Sequence, residues 1–177
     1  MANKLSNILI TSARERVILV KNFQRTAQEM GVDAKVYTCD MEPDKAPACK
    51  VSDGSFAEPR TTSEDYMQVL QSICLGNQVK IVIPTCEREV PVLSANKDIF
   101  TKLGISIFVP DYDFVMKCID NHQFGGYLET LDIDISIPQH IDNYETLVDM
   151  YFTKETVTKT ILRKNLANRS FSSRTFR

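Results

Sequence analysis

The stretch from Ile81 to Val90, IVIPTCEREV, runs three apolar residues and a proline into Thr85, Cys86, Glu87 and Glu89. A threonine, a thiol and two carboxylates just beyond an apolar strand are suited to binding a substrate amine or hydroxyl. Two plainer roles compete: Glu87 and Glu89 also complement the dipole of a helix that begins there, and Cys86 is an inert thiol. A nucleophilic Cys86 needs a paired base, and neither His122 nor His140 lies near the end of an apolar strand. The second candidate is TSARERV, from Thr11 to Val17. A loop between a first strand and a first helix presents N–H groups and a helix dipole to anions. Ser12, Arg14 and Arg16 there either hold a carboxylate or phosphate, or are a capping serine with two solvated arginines.

Several chemistries are excluded by what these loops lack. The first loop has no glycine, whereas a dinucleotide site needs G-x-G-x-x-G for its tight turn and close backbone approach to pyrophosphate. No G-x-x-x-x-G-K-[ST] motif occurs, which removes a P-loop nucleotidase. A receiver domain wants an acidic pair after its first strand, where this chain has Thr11 and Ser12. Five cysteines without a C-x-x-C pair, and two histidines, argue against a disulfide framework or a structural zinc site.

The elements that must position these residues follow from periodicity. Asn7 to Thr11 reads as a strand, and Val17, Val20, Phe23, Ala27 and Met30 recur at helical spacing before Gly31. Ala34 to Cys39 is a second strand, closed by Asp40. Residues 40 to 61 read as a long connection with a short third strand at Ser55 to Ala57. Thr62 to Asp65 is a T-x-x-D capping start for a helix through Gly76. Val79 to Ile83 is the fourth strand, followed by one helix from Pro91 to Leu103. Ile105 to Val109 is the fifth, and Asp111 caps a helix through Cys118. Apolar strands, each followed by an amphipathic helix, imply an α/β doubly wound, mostly parallel, Rossmann-like open sheet in the order 3-2-1-4-5. Ligands bind such sheets beyond the carboxyl ends of the strands. Thr11, Ser12, Asp40, Thr85, Glu87 and Glu89 fall at that edge.

The division expected is a Rossmann-like domain over 1–118, an incomplete start of a further lobe over 119–152, and a poorly ordered basic tail over 153–177. Ile119 to Thr130 reads as a helix although Gly125 and Gly126 each cost about 1 kcal/mol there. DIDISIPQHID reads as extended, and Tyr144 to Phe152 as a short helix. The tail carries a net +6 and the remainder −8. An acidic body is a poor partner for nucleic acid. No apolar run approaches the ~20 residues of a membrane span, so the expectation is a cytoplasmic protein without nucleic-acid or membrane partners.

In order and at natural spacing, NILITSARERVILVKNF, VYTCDMEPDKAPACKVSDGSFAEPR, IVIPTCEREVPVLSANKDIF and GISIFVPDYDFVMKCIDN resemble the N-terminal domain of ATP-grasp ligases, specifically those similar to the carbamoyl-phosphate synthase large subunit. The resemblance covers roughly residues 7 to 140. It implies a ligase that activates a carboxylate as an acyl phosphate for attack by an amine, with Mg-ATP clamped between two further lobes. By position it makes Thr11, Ser12, Arg16, Asp40, Arg60, Thr85, Glu87 and Glu89 the substrate-side residues. Arg14 stands where such proteins have glycine, and Asp120-Asn121 where they have aspartate-lysine.

After Pro138 there is no K-P strand, glycine-rich flap or E-x-N metal site. The end resembles a truncation or frame change as much as a designed terminus. The expectation is therefore a substrate-side domain with no catalytic residue, metal or cofactor of its own, Mg-ATP belonging to the complete enzyme. It would be inactive alone and would pair with the missing lobes or with itself. A Rossmann-like module that holds a small anion, or docks on a separate ATP-grasp partner, is the alternative.

Overall fold

The computed structural model describes residues 7–131. Two compact units divide the chain at Met116/Lys117. In the first unit, β1 (Asn7–Thr11), β2 (Val36–Asp40), β3 (Gly54–Ala57), β4 (Val79–Pro84) and β5 (Ser106–Ile107) form one sheet in the order β3-β2-β1-β4-β5. Every pairing is parallel. The doubly wound sheet read from the sequence is the sheet observed.

Alternation along β1 explains the layering. Successive strand residues point to opposite faces, so Leu9 and Ile10, both fully buried, enter different cores. Leu9 packs with Cys39, Tyr66, Leu70, Cys74, Val82, Leu93 and Phe100. These come largely from α3 (Tyr66–Gly76), α4 (Glu89–Ala95) and α5 (Lys97–Lys102). Ile10 packs with Ala13, Val20, Val36 and Ala48 beneath α1 (Val17–Glu29) and α2 (Pro47–Val51). Each such buried aliphatic side chain contributes roughly 1.5–3 kcal/mol.

The departures from the expected elements are local. The connection over residues 40 to 61 contains a 3-10 turn, Pro43–Lys45, and α2, which begins with Pro47 at its first position. Proline suits that position because its missing N–H has no intrahelical partner to lose. The expected capping box before α3 does not form: Asp65 makes no side-chain cap and its carboxylate accepts the Ser63 hydroxyl instead. The single helix expected over Pro91 to Leu103 is two, parted at Asn96, whose side-chain amide donates to the Val92 carbonyl at 2.8 Å. The break puts Phe100 in the core while Ile99 and Leu103 are exposed. β5 is shorter than expected, although Phe108 N–H still reaches the Val82 carbonyl at 2.8 Å.

α6 (Tyr112–Ile119) ends the first unit and begins the second. In the second unit α7 (Asn121–Thr130) runs through Gly125 and Gly126, and Lys117 Nζ lies 5.2 Å from the Tyr127 ring centroid. The extended segment and helix expected between Asp132 and Phe152, and the basic tail over 153–177, lie outside the described residues. No helix among the described residues is long and apolar enough to cross a membrane.

Candidate functional site

Strand parity builds the site. Thr11 follows Leu9 by two and Glu58 follows Phe56 by two, so both emerge on the face of the sheet covered by α3 and α4. Glu58 N–H donates to the Asp40 carbonyl at 3.1 Å, extending the β2–β3 ladder by one bond. Its side chain is thereby held at the carboxyl edge, where order reverses around β1.

Two glutamates meet the strand ends there. Glu89, at the first position of α4, is fully buried. One of its oxygens accepts the Thr11 hydroxyl at 3.0 Å and the other the Tyr66 hydroxyl at 2.8 Å. Glu58 is 6% exposed. Its Oε1 accepts both the Ser12 N–H at 2.8 Å and the Ser12 hydroxyl at 3.2 Å. Its Oε2 is buried without a hydrogen-bond partner.

Ser12 adopts φ +48°, a left-handed conformation that is costly for a residue with a Cβ. Both donors of this strained residue end on one carboxyl oxygen. Thr85 completes the frame: its hydroxyl lies 2.9 Å from the carbonyls of both Thr11 and Ser12. Arg16 in turn donates to the Thr85 carbonyl at 3.2 Å. The loops after β1 and β4 are thus tied together.

The electrostatics follow from burial. Desolvation, and secondly the Glu89 charge, push the Glu58 carboxyl up to about 7. Burial also raises Glu89, but the hydrogen bonds from Tyr66 and Thr11 oppose it. The two carboxyls thus sit in unequal surroundings, Glu89 being the better supplied with hydrogen-bond donors. Tyr66 is pushed well above the usual phenol range by burial and then by Glu89, so it remains a donor. Among the described residues no cation forms an ion pair with either glutamate.

The remaining sequence candidates divide. Asp40, 5% exposed, accepts the backbone N–H groups of Arg14 at 3.2 Å and Glu42 at 3.0 Å, and lies 3.9 Å from the Arg14 guanidinium. It shapes the loop that carries Ser12. Glu87 is exposed, so it and the buried Glu89 do not act as a pair. Arg60 is exposed beyond β3, its carbonyl accepting Ser63 N–H at 2.8 Å. Cys86 is half-buried, whereas Cys39, Cys49 and Cys74 are buried thiols, and burial raises Cys74 to about 12.

Glu58 and Tyr66 escape the sequence reading. The rule that ligands gather beyond strand ends, applied to the short third strand as well, selects Glu58. Tyr66, the first residue of α3, lies away from any strand end in the sequence and so carries no such signal. A groove of about 480 Å³ between β3 and α3, lined by Phe56, Gln68, Val69 and Ile73 among others, contains no ionisable side chain.

An all-parallel 3-2-1-4-5 sheet with polar groups converging at its switch point is a Rossmann-like fold. The PylC-like N-terminal domain family matches residues 8–108, more than half of the chain, and the chain belongs to that family. Among solved structures it is similar to the biotin carboxylase domain of a single-chain bacterial carboxylase, with TM-score 0.57 and 11% identity over 83% of this chain and 34% of the other. The biotin carboxylase subunit of pyruvate carboxylase gives TM-score 0.53 and 12% identity over 84% and 33%. Kluyveromyces lactis urea carboxylase gives TM-score 0.53 and 18% identity over 74% and 12%. At these identities the likeness is one of fold, and the chain spans about a third or less of each structure's length. A search of curated protein sequences finds no match.

The kinship with ATP-grasp N-terminal domains expected from the sequence holds at this coarser level; carbamoyl-phosphate synthase is not singled out. The described residues do not fit Mg-ATP. No group of three or more His, Cys, Asp or Glu among them is placed to hold a metal. The N–H of Ser12, in the loop where a phosphate would be cradled, is given to Glu58.

Proposed function

We propose that this chain supplies the substrate side of a carbamoyl-phosphate-synthase-like ATP-grasp ligase, an enzyme that uses ATP to activate a carboxylate for ligation to an amine. The carboxyl edge formed by Thr11, Ser12, Asp40, Glu58, Thr85 and Glu89 is one wall of the substrate cleft. The observation that carries this reading is the convergence of buried polar groups at the switch point of a PylC-like N-terminal domain. Arg16 secures the wall through the Thr85 carbonyl, and Glu87 and Arg60, both exposed, are available to the outer part of a substrate.

The chemistry assigned to these residues is binding and orientation. Phosphoryl transfer needs metal and cationic groups that spread charge over the transferring phosphoryl, and the described edge is acidic instead. The nucleotide is accordingly bound by lobes other than residues 7–131, carried by the complete enzyme or a partner chain. A module that holds a small anion at the strand ends is the weaker reading. Its phosphate would meet two buried carboxyl groups and an N–H already in use.

Calorimetry with Mg-ATP tests the division of labour. The expected result is no micromolar binding by this chain, together with carboxylate- and amine-dependent ADP release once ATP-grasp lobes supplied as a separate chain are added. Tight Mg-ATP binding by this chain overturns the assignment, as does the absence of any amine-dependent turnover in the reconstituted mixture.

A further inference from the structure

Glu58 and Glu89 bring two carboxyl groups into one buried edge, and they are differently supplied with donors. Glu89 has a hydroxyl on each oxygen, from Thr11 and Tyr66. Glu58 has both its donors on Oε1, from the same residue, and none on Oε2. A buried carboxyl oxygen without a donor costs about 1–3 kcal/mol, more when charged. Of the three buried carboxylates at this edge, Asp40 alone has an arginine beside it among the described residues. With Glu58 ionised the edge is therefore one donor and one positive charge short.

Ser12 contacts Glu58 through both of its donors. It is half-buried, it stands at the head of the loop after β1, and its left-handed backbone is held by the two bonds it makes to Glu58. The hydroxyl bond, at 3.2 Å, is the longer of the two and a side-chain rotation suffices to break it. Thr85 fixes the Ser12 carbonyl independently, so turning the hydroxyl aside leaves the loop in place.

We propose that Glu58, with the Ser12 hydroxyl as a displaceable placeholder, is the acceptor for a primary ammonium group entering the cleft, and that this group belongs to the amine substrate of the ligase proposed above. A primary ammonium supplies three donors and one positive charge on a small head, which matches what the edge lacks. Entry of the cation is accompanied by loss of the Glu58 proton, so that a carboxylate faces the ammonium. The groups that face Glu58 favour this exchange. They are the Glu89 carboxylate from α4, the Tyr66 phenol from α3, and Cys39 and Asp40 from β2, none of them cationic. A quaternary ammonium carries the same charge without donors and is too bulky to replace a hydroxyl. An anion meets repulsion.

The test is an NMR titration of the full chain labelled at the glutamate side-chain carbons, with methylammonium, tetramethylammonium and inorganic phosphate as probes. The expected result is a saturable shift of the Glu58 carboxyl resonance with methylammonium only, and a lower titration midpoint for that resonance at saturation. Glu58→Gln, verified as folded by its unfolding curve, weakens methylammonium binding about tenfold or more, the scale of one hydrogen bond to a charged group. Ser12→Ala, which removes the placeholder hydroxyl but keeps the Glu58 carboxyl, leaves binding intact or tightens it.

Absence of a saturable methylammonium response overturns the proposal, as does an equal response to tetramethylammonium or undiminished binding by Glu58→Gln. Saturable phosphate binding at Ser12 overturns it in favour of an anion site. If binding fails while amine-dependent ADP release persists in the reconstituted mixture, the ligase reading stands and only this site is wrong. If methylammonium binds and no such turnover exists, the site stands without that ligase.

Discussion

Replacing Glu58 with glutamine isolates the buried carboxyl from every other titration in the chain. The Glu58 carboxyl rises from 4.5 to about 7 in the folded state, so across that interval the native protein binds more protons than the unfolded chain. Stability attributable to this group is therefore fully present below 4.5 and is lost as pH climbs through 7, the reverse of a salt-bridged carboxylate. At about 1.4 kcal/mol per pKa unit the full excursion is on the order of 3 kcal/mol, most of which falls between pH 5 and pH 8. The glutamine side chain of the variant keeps an oxygen for the Ser12 donors and has no proton to lose. Urea unfolding of both proteins at pH 5, 6, 7 and 8 gives the difference directly. With a slope of about 1–3 kcal/mol/M, the wild-type midpoint should drop by about 1–2 M relative to the glutamine variant over that range. A difference that stays constant with pH, or that moves in wild type's favour on the alkaline side, refutes the assignment of the proton to Glu58.

Three further outcomes follow from the same edge. Tyr66→Phe removes the 2.8 Å hydroxyl donor from the Glu89 carboxylate and should cost about 1.5–3 kcal/mol by chemical denaturation; a cost under a few tenths would mean that Glu89 is protonated. At Ser12, where φ is +48°, the glycine variant should be more stable than the alanine variant by about 1–2 kcal/mol, since only the latter retains a Cβ in the left-handed region; equal melting temperatures would count against the strained backbone. Thiol labelling of the native chain, read by mass spectrometry, should modify half-buried Cys86 and Cys118 before buried Cys39, Cys49 and Cys74, and early labelling of Cys39 would show that the sheet opens.

How far the sequence reveals this molecule differs between elements for physical reasons. β1, β2 and β4 are flanked on both sides and buried by helices on both faces, so apolar residues predominate in them and each stands out in the sequence, although β2 starts two residues later than read. β5 has one neighbour and ends after two residues, since nothing beyond it selects for length. The α4–α5 break is hidden because Asn96 interrupts a helical pattern by a side-chain bond to Val92, and polar residues are common on helix surfaces. At the candidate site Thr11, Ser12, Asp40, Thr85 and Glu89 are legible from strand ends alone. The burial that distinguishes Glu89 from Glu87 is not, because it depends on a hydroxyl from Tyr66, 23 residues away in the chain.

The paired hydrogen bonds from Thr85 to the Thr11 and Ser12 carbonyls separate scaffold from chemistry at this edge. The two loops keep their spacing through main-chain acceptors that any residues at positions 11 and 12 would offer. Glu58, by contrast, enters from a different strand, and its carboxyl is bonded to Ser12 rather than to the Thr85 tie. The Thr85 tie therefore does not depend on the Glu58 carboxyl, although the Ser12 N–H does. Spacing of the two loops and the chemistry of the buried carboxyl are thus set by different side chains, on different strands of one sheet.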